Sequence, residues 1–197
     1  MNFIARKLAR SKWEKAPALD KSEISADAIT GCLRTTNDTL SFWACEKRQD
    51  SLENVVLALA SGAQRVDKMH ILLLEEQVLN DLGLPLVETA GETPVIDLRH
   101  LHRDIVRLSL ERLSTLAREI APRARDPQDS YCLLFRKKQV VDILLTAIRD
   151  NKLPLKSLHS TVQDQLIKQD KSLARSLSLR RRFARLLRRL SEYLESP

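Results

Sequence analysis

The spacing of hydrophobic and polar positions changes several times along the chain, and each change predicts an element. From Ser25 to Lys47, "SADAITGCLRTTNDTLSFWACEK" reads as two β-prone runs around Thr35–Thr39. Asn and Asp there bond their own backbone and tolerate left-handed geometry, which predicts a hairpin. Phe42 and Trp43 are adjacent on its second arm, Leu40–Cys45, so they point to opposite faces. The expectation is a strand covered on both sides; the alternative is an exposed Trp43 as a contact residue. "DSLENVVLALASG" predicts a helix with a capping box from Asp50 and Glu53, an apolar stripe of Val55, Val56 and Leu59, and a stop at Gly62. Ile71–Leu74 is a short apolar run, read as a buried strand although periodicity alone also fits a helix. "QVLNDLG" predicts a short helix closed by Gly83, and "LPLVET" an extended piece for which Pro85 argues a sheet edge or no sheet at all.

The next segment predicts one long helix from Asp97 to Ala121, capped by Asp97 and stopped by Pro122. Leu98, Leu101, Ile105, Val106, Leu108, Leu110, Leu113, Leu116 and Ile120 share one broad side of it. "APRARDPQD", 121–129, carries two prolines and alternating charge and marks the best boundary. Beyond it the chain reads helical throughout: "YCLLFRKKQVVDILLTAIRDN" as one helix, a break at Pro154, a helix boxed by Ser160 and Gln163, and a last helix restarting near Ser178. The resulting fold class is α+β and mostly helical. A basic N-terminal helix (1–19) precedes a small α+β domain (20–122) with a hairpin-led sheet, followed by a C-terminal helical region (128–197).

Composition narrows the class. With 197 residues, 43% apolar and 30% charged, the chain suits one ordinary domain or two small ones. No apolar run approaches the roughly 20 residues of a membrane-spanning helix. The basic start, "MNFIARKLARSKWEK", lacks the continuous apolar stretch of a secretory signal; a mitochondrial presequence fits less well than a first helix packed on the body, because serine is scarce and Glu14 interrupts. Cys32, Cys45 and Cys132 are odd in number and widely spaced, which points to reduced thiols in a cytoplasmic protein.

The net charge of +7 is unevenly placed. Residues 1–15 carry five basic and one acidic side chain, 171–197 carry eight and two, and the stretch between is acidic overall. The basic ends therefore address either an external polyanion or the chain's own acidic middle.

Chemistry is sparse. Gly31, Gly62, Gly83 and Gly91 stand far apart, so no phosphate-cradling loop or dinucleotide fingerprint exists and no cofactor is indicated. His102–Asp104 matches the "HRD" of protein kinases, but Ser109 stands where the magnesium-holding Asn belongs, and the glycine loop and "DFG" are missing. His100 and His102, two apart on the expected helix, do not share a face, so no metal site is indicated.

Only the end carries a physical signature. As a helix, Leu179, Phe183, Leu186, Leu187 and Leu190 share one arc with Tyr193 and Leu194, while Arg181, Arg182, Arg185, Arg188 and Arg189 face the other way with Arg180 at the border. The leading expectation is a non-enzymatic accessory or regulatory protein that engages nucleic-acid phosphates through those arginines, helped by Arg6, Lys7 and Arg10. The alternative is an adaptor or self-associating scaffold, binding a protein partner or its own copy through Leu179, Phe183, Leu186, Leu187 and Leu190. An enzyme without a recognisable motif, built on His70, Cys32 or Cys45, stands third. Plain solvation of a docked helix explains the arginines with no ligand.

Overall fold

The computed structural model describes residues 2–14, 23–126 and 128–170. Its elements run β1 (Phe3–Leu8), α1 (Ala26–Cys32), β2 (Leu40–Cys45), α2 (Gln49–Ser61), β3 (Met69–Glu75), α3 (Glu76–Asp81), β4 (Leu86–Glu88), β5 (His102–Ile105), α4 (Leu110–Arg125), β6 (Cys132–Phe135), α5 (Lys137–Arg149) and α6 (Ser160–Gln169). The strands form one antiparallel sheet in the order β4-β5-β2-β1-β3-β6. The class is α+β, as the sequence predicts.

Helices lie on both faces of the sheet. Phe3, Ala5, Trp43, Ile71 and Leu73 pack with α2, α5 and α6, whereas Ile4, Phe42, Leu72 and Leu74 pack with α1, α3 and α4. Ile71–Leu74 is apolar without alternation because each side chain enters one of these two cores; all four are fully buried. Burying one such leucine contributes about 2 kcal/mol. Phe42 and Trp43 divide between the cores, so the strand is covered on both faces as expected.

Several expected elements are replaced. Residues 2–14 hold no basic N-terminal helix; they form β1, the strand between β2 and β3, and a 3-10 turn at Arg10–Lys12. Phe3 and Ala5 enter one core and Ile4 and Leu8 the other, a period of two that a central strand satisfies. The expected hairpin keeps its turn and loses its first arm. Asn37 and Asp38 both have positive φ (52° and 57°) between the bridged Thr36 and Thr39, but "ADAITGC" is helix α1, capped where Ser25 Oγ accepts from Asp27 N–H.

The long helix Asp97–Ala121 is three elements: a 3-10 segment (Ile96–Leu101), strand β5, and α4. Arg107, at φ 57°, breaks the path, and Ser109 Oγ accepts from Arg112 N–H to start α4. The outer edge of β2 takes β5 as partner, with Leu40 opposite Ile105, and tertiary pairing thus overrides a helical apolar pattern. Pro122 lies inside α4 and does not stop it.

The helix expected from Tyr131 begins instead as β6, paired with β3, and turns helical at Lys137. Neither expected capping box forms. Arg48 precedes α2 without a side-chain cap, and His159 Nδ1, accepting from Thr161 N–H, caps α6. Gly62, Gly83 (φ 62°) and the edge position of β4 agree with the sequence. No helix among the described residues is long and apolar enough to cross a membrane. The expected last helix, with Arg180, Arg181, Arg182, Arg185, Arg188 and Arg189 and the leucine arc from Leu179 to Leu190, lies outside the described residues.

Candidate anion-binding cleft

Antiparallel pairing sets Lys7 opposite Ile71 and Leu8 opposite His70, so the end of β1 adjoins the start of β3. The turn after β1 brings in Arg10, the segment before β3 brings Arg65 and Lys68, and the end of α4 supplies Arg125. Together they line an open cleft of about 710 Å³. Among the described residues, five cations (Lys7, Arg10, Arg65, Lys68 and Arg125) face two carboxylates, Glu14 and Asp67. The excess positive field favours an anion.

These cations have different duties. Arg10 donates from Nε to Ala124 O (3.1 Å) and from Nη2 to Arg125 O (3.2 Å), meeting carbonyls at the negative end of the α4 dipole. Arg125 donates from Nε to Trp13 O (3.0 Å) and from Nη2 to Glu23 O. Both therefore lend charge while their forks hold backbone. Arg65 is exposed and lies 3.8 Å from Asp67. Lys7 and Lys68 are exposed, and neither ammonium pairs with a carboxylate among the described residues.

His70 completes the lining. It is partly buried, flanked in register by Leu8 on β1 and Leu134 on β6. Burial first, then the charges of Arg10 and Lys68, hold its pKa below the ordinary imidazole value, against an opposing pull from Glu14. Its ring has no hydrogen-bond partner among the described residues.

Of the three N-terminal cations expected to meet phosphate, Lys7 and Arg10 line this cleft and Arg6 does not. Arg6 alternates to the other face of β1. There it donates from Nε to Cys32 O (2.8 Å) and from Nη1 to Ser41 O, and stacks 5.6 Å from the Phe42 ring centre. Burial pulls its pKa down to about 10, with Cys32 and Asp104 opposing. Lys68, His70, Arg65 and Arg125 escape sequence reading because strand pairing and the docking of α4, not proximity along the chain, bring them to Lys7.

A second polar constellation sits on the sheet toward its β4 edge. Ser41 Oγ donates to Asp104 Oδ1 and Thr89 Oγ1 donates to Asp104 Oδ2, both at 2.8 Å, and His102 Nδ1 is 2.7 Å from Thr89 Oγ1. Since the single Thr89 proton goes to Asp104, His102 must donate from Nδ1 to Thr89. His102 also meets Trp43 edge-on at 5.1 Å. Both hydroxyls donate to a carboxylate instead of an imidazole, so neither is set up as a nucleophile. The "HRD" triplet thus belongs to a strand, where Asp104 ties three elements and Arg103 pairs with Glu88 at 2.6 Å. The thiols are equally quiet: all three cysteines are buried and free, and burial raises Cys45 to about 12, with Glu76 adding to it, and also raises Cys132.

A further concavity of about 580 Å³ opens between α2 and α5. Its sign is opposite, with Asp50, Glu53, Asp142 and Asp150 against Lys152 alone among the described residues.

No protein-family model matches the chain, and neither a curated protein nor a solved structure shows significant similarity to it.

Proposed function

We propose that this chain is a non-enzymatic accessory or regulatory protein that engages nucleic-acid phosphates, using the cleft between β1, β3 and the end of α4 together with the arginine-rich stretch 180–189. The observation that carries this reading is the gathering of five cations on one open cleft, two of them exposed ammoniums with no carboxylate partner among the described residues. Ammonium and guanidinium groups at a surface neutralise phosphates and release counterions, which gives affinity that falls steeply with salt. Among the described residues the cleft lining includes no Phe, Tyr or Trp, so it offers no large base-stacking platform and contact is expected to be largely indifferent to sequence. Three cysteines without a disulfide suit a reducing compartment, and the cytoplasm is the location that goes with this role.

The test is a titration of labelled duplex and single strands at two salt concentrations. Binding at low salt is expected, and K7Q/K68Q should reduce the slope of log affinity against log salt by about 1.8 for duplex. R181Q/R185Q/R188Q measures the share of the C-terminal stretch separately. No binding at low salt, or binding unaltered in both variants, overturns the reading.

A further inference from the structure

We infer that His70 takes up one proton when a phosphodiester occupies the basic cleft, so that the site binds its polyanion in a proton-coupled manner. The inference rests on the proposed phosphate-binding reading and adds a ligand residue and a regulation to it.

The geometry is specific. His70 lines the cleft from β3, with its ring nitrogens unpartnered among the described residues and Leu8 and Leu134 to either side. Among the described residues the charged groups that line the cleft with it are Lys7 from β1, Arg10 and Glu14 from the turn that follows, Arg125 from α4, and Arg65, Asp67 and Lys68 from the segment before β3. From β6 it faces only apolar Leu134.

With the cleft empty, a positive excess opposes any further positive charge, and the sheet partly withholds water. Arg10 and Lys68 accordingly join burial in depressing the imidazole. A phosphodiester reverses both conditions: its charge offsets the excess, and its oxygens accept a hydrogen bond from a ring N–H. The proton comes from solvent and stays on the ring, and no covalent bond forms or breaks. Linkage makes the coupling reciprocal, so an anion that raises protonation of His70 is itself bound more tightly as pH falls.

The experiment uses the full chain and a 5′-hydroxyl oligonucleotide, whose diesters keep a constant charge across the range. Affinity is expected to rise about tenfold from about pH 7.5 to about pH 5.5 at fixed salt, within the bound of tenfold per pH unit set by one proton. In H70Q the affinity should become flat with pH while the salt dependence persists. Ring proton resonances of His70 in the unmodified protein, followed with and without oligonucleotide, should show a higher titration midpoint in the complex, a readout that does not depend on the variant folding. Binding that K7Q/K68Q weakens but pH leaves unchanged overturns this inference and spares the cleft. Retained pH dependence in H70Q, or an unmoved midpoint on saturation, also overturns it. Absence of binding at both pH values overturns it together with the reading on which it rests.

Discussion

The basic cleft and the groove between α2 and α5 are of similar size and opposite charge, and they are held in place in different ways. In the basic cleft, Arg10 and Arg125 bond main-chain carbonyls across more than a hundred residues of sequence, tying the turn after β1 to the end of α4. In the acidic groove the carboxylates are served by near neighbours along the chain: Arg48 bonds Asp50, Gln49 bonds Glu53, and Lys152 lies 3.8 Å from Asp150. One charge pattern is therefore part of the architecture, and the other decorates two helices already packed through their apolar sides. The comparison teaches that removing Arg10 or Arg125 from the first site tests fold and binding together, whereas the second can be recharged freely.

The largest contrast should appear in binding. K7E/K68E removes two phosphate contacts and should weaken duplex binding at ~0.05 M salt by about a hundredfold, whereas E53K/D142K in the acidic groove should leave it unchanged or tighten it. Equal losses in the two variants, measured by anisotropy titration, would break the distinction. Stability should separate the sites next. R10A strips hydrogen bonds from the end of α4 and should lower unfolding free energy in urea by about 2 kcal/mol, and E53Q/D142N should stay within about 0.5 kcal/mol of the parent.

The smallest effect concerns protons. Burial holds the pKa of both His70 and His102 below the ordinary value of 6.5 in the folded state. Below pH 6.5 the unfolded chain then binds more protons than the native one, so stability should be unaffected at high pH and fall as acid carries the unfolded imidazoles through their pKa. Denaturation across this range should show a decline that H70Q and H102Q each reduce. Polyanion should restore only the part due to His70, because His102 lies outside both concavities.

Some of this was legible in the sequence. Ile71–Leu74 read as a buried strand with a helix as its alternative, Asn37–Asp38 supplied residues that tolerate a left-handed turn, and Gly83 and Pro85 punctuated the chain where expected. What misled was apolar spacing that fits two periods. Leu98, Leu101 and Ile105 match a helix, yet the free edge of β2 draws His102–Ile105 into the sheet, and that edge is invisible until the strands are assembled. The same holds for β1, whose Arg6 and Lys7 look like one basic patch but alternate across the sheet, one bracing backbone and one facing solvent. For the cleft, Lys7 and Arg10 could be read from the sequence. Lys68, His70 and Arg125 could not, because their proximity to Lys7 is set by strand register and by the docking of α4.

The central place of β1 has a consequence for how the chain is made. Of the six described strands, β1 is synthesised before the others and is held between two partners that come later, β2 on one edge and β3, through six register pairs, on the other. Until Glu75 has been made, a nascent chain carries a leucine- and phenylalanine-bearing strand with an open ladder, and the sheet reaches its full width only once Phe135 follows. Such an edge is a template for another chain. During translation this protein thus has a vulnerable interval bounded by two identifiable residues, and ribosome-stalled chains ending before and after them would show whether β1 needs guarding until its partners arrive.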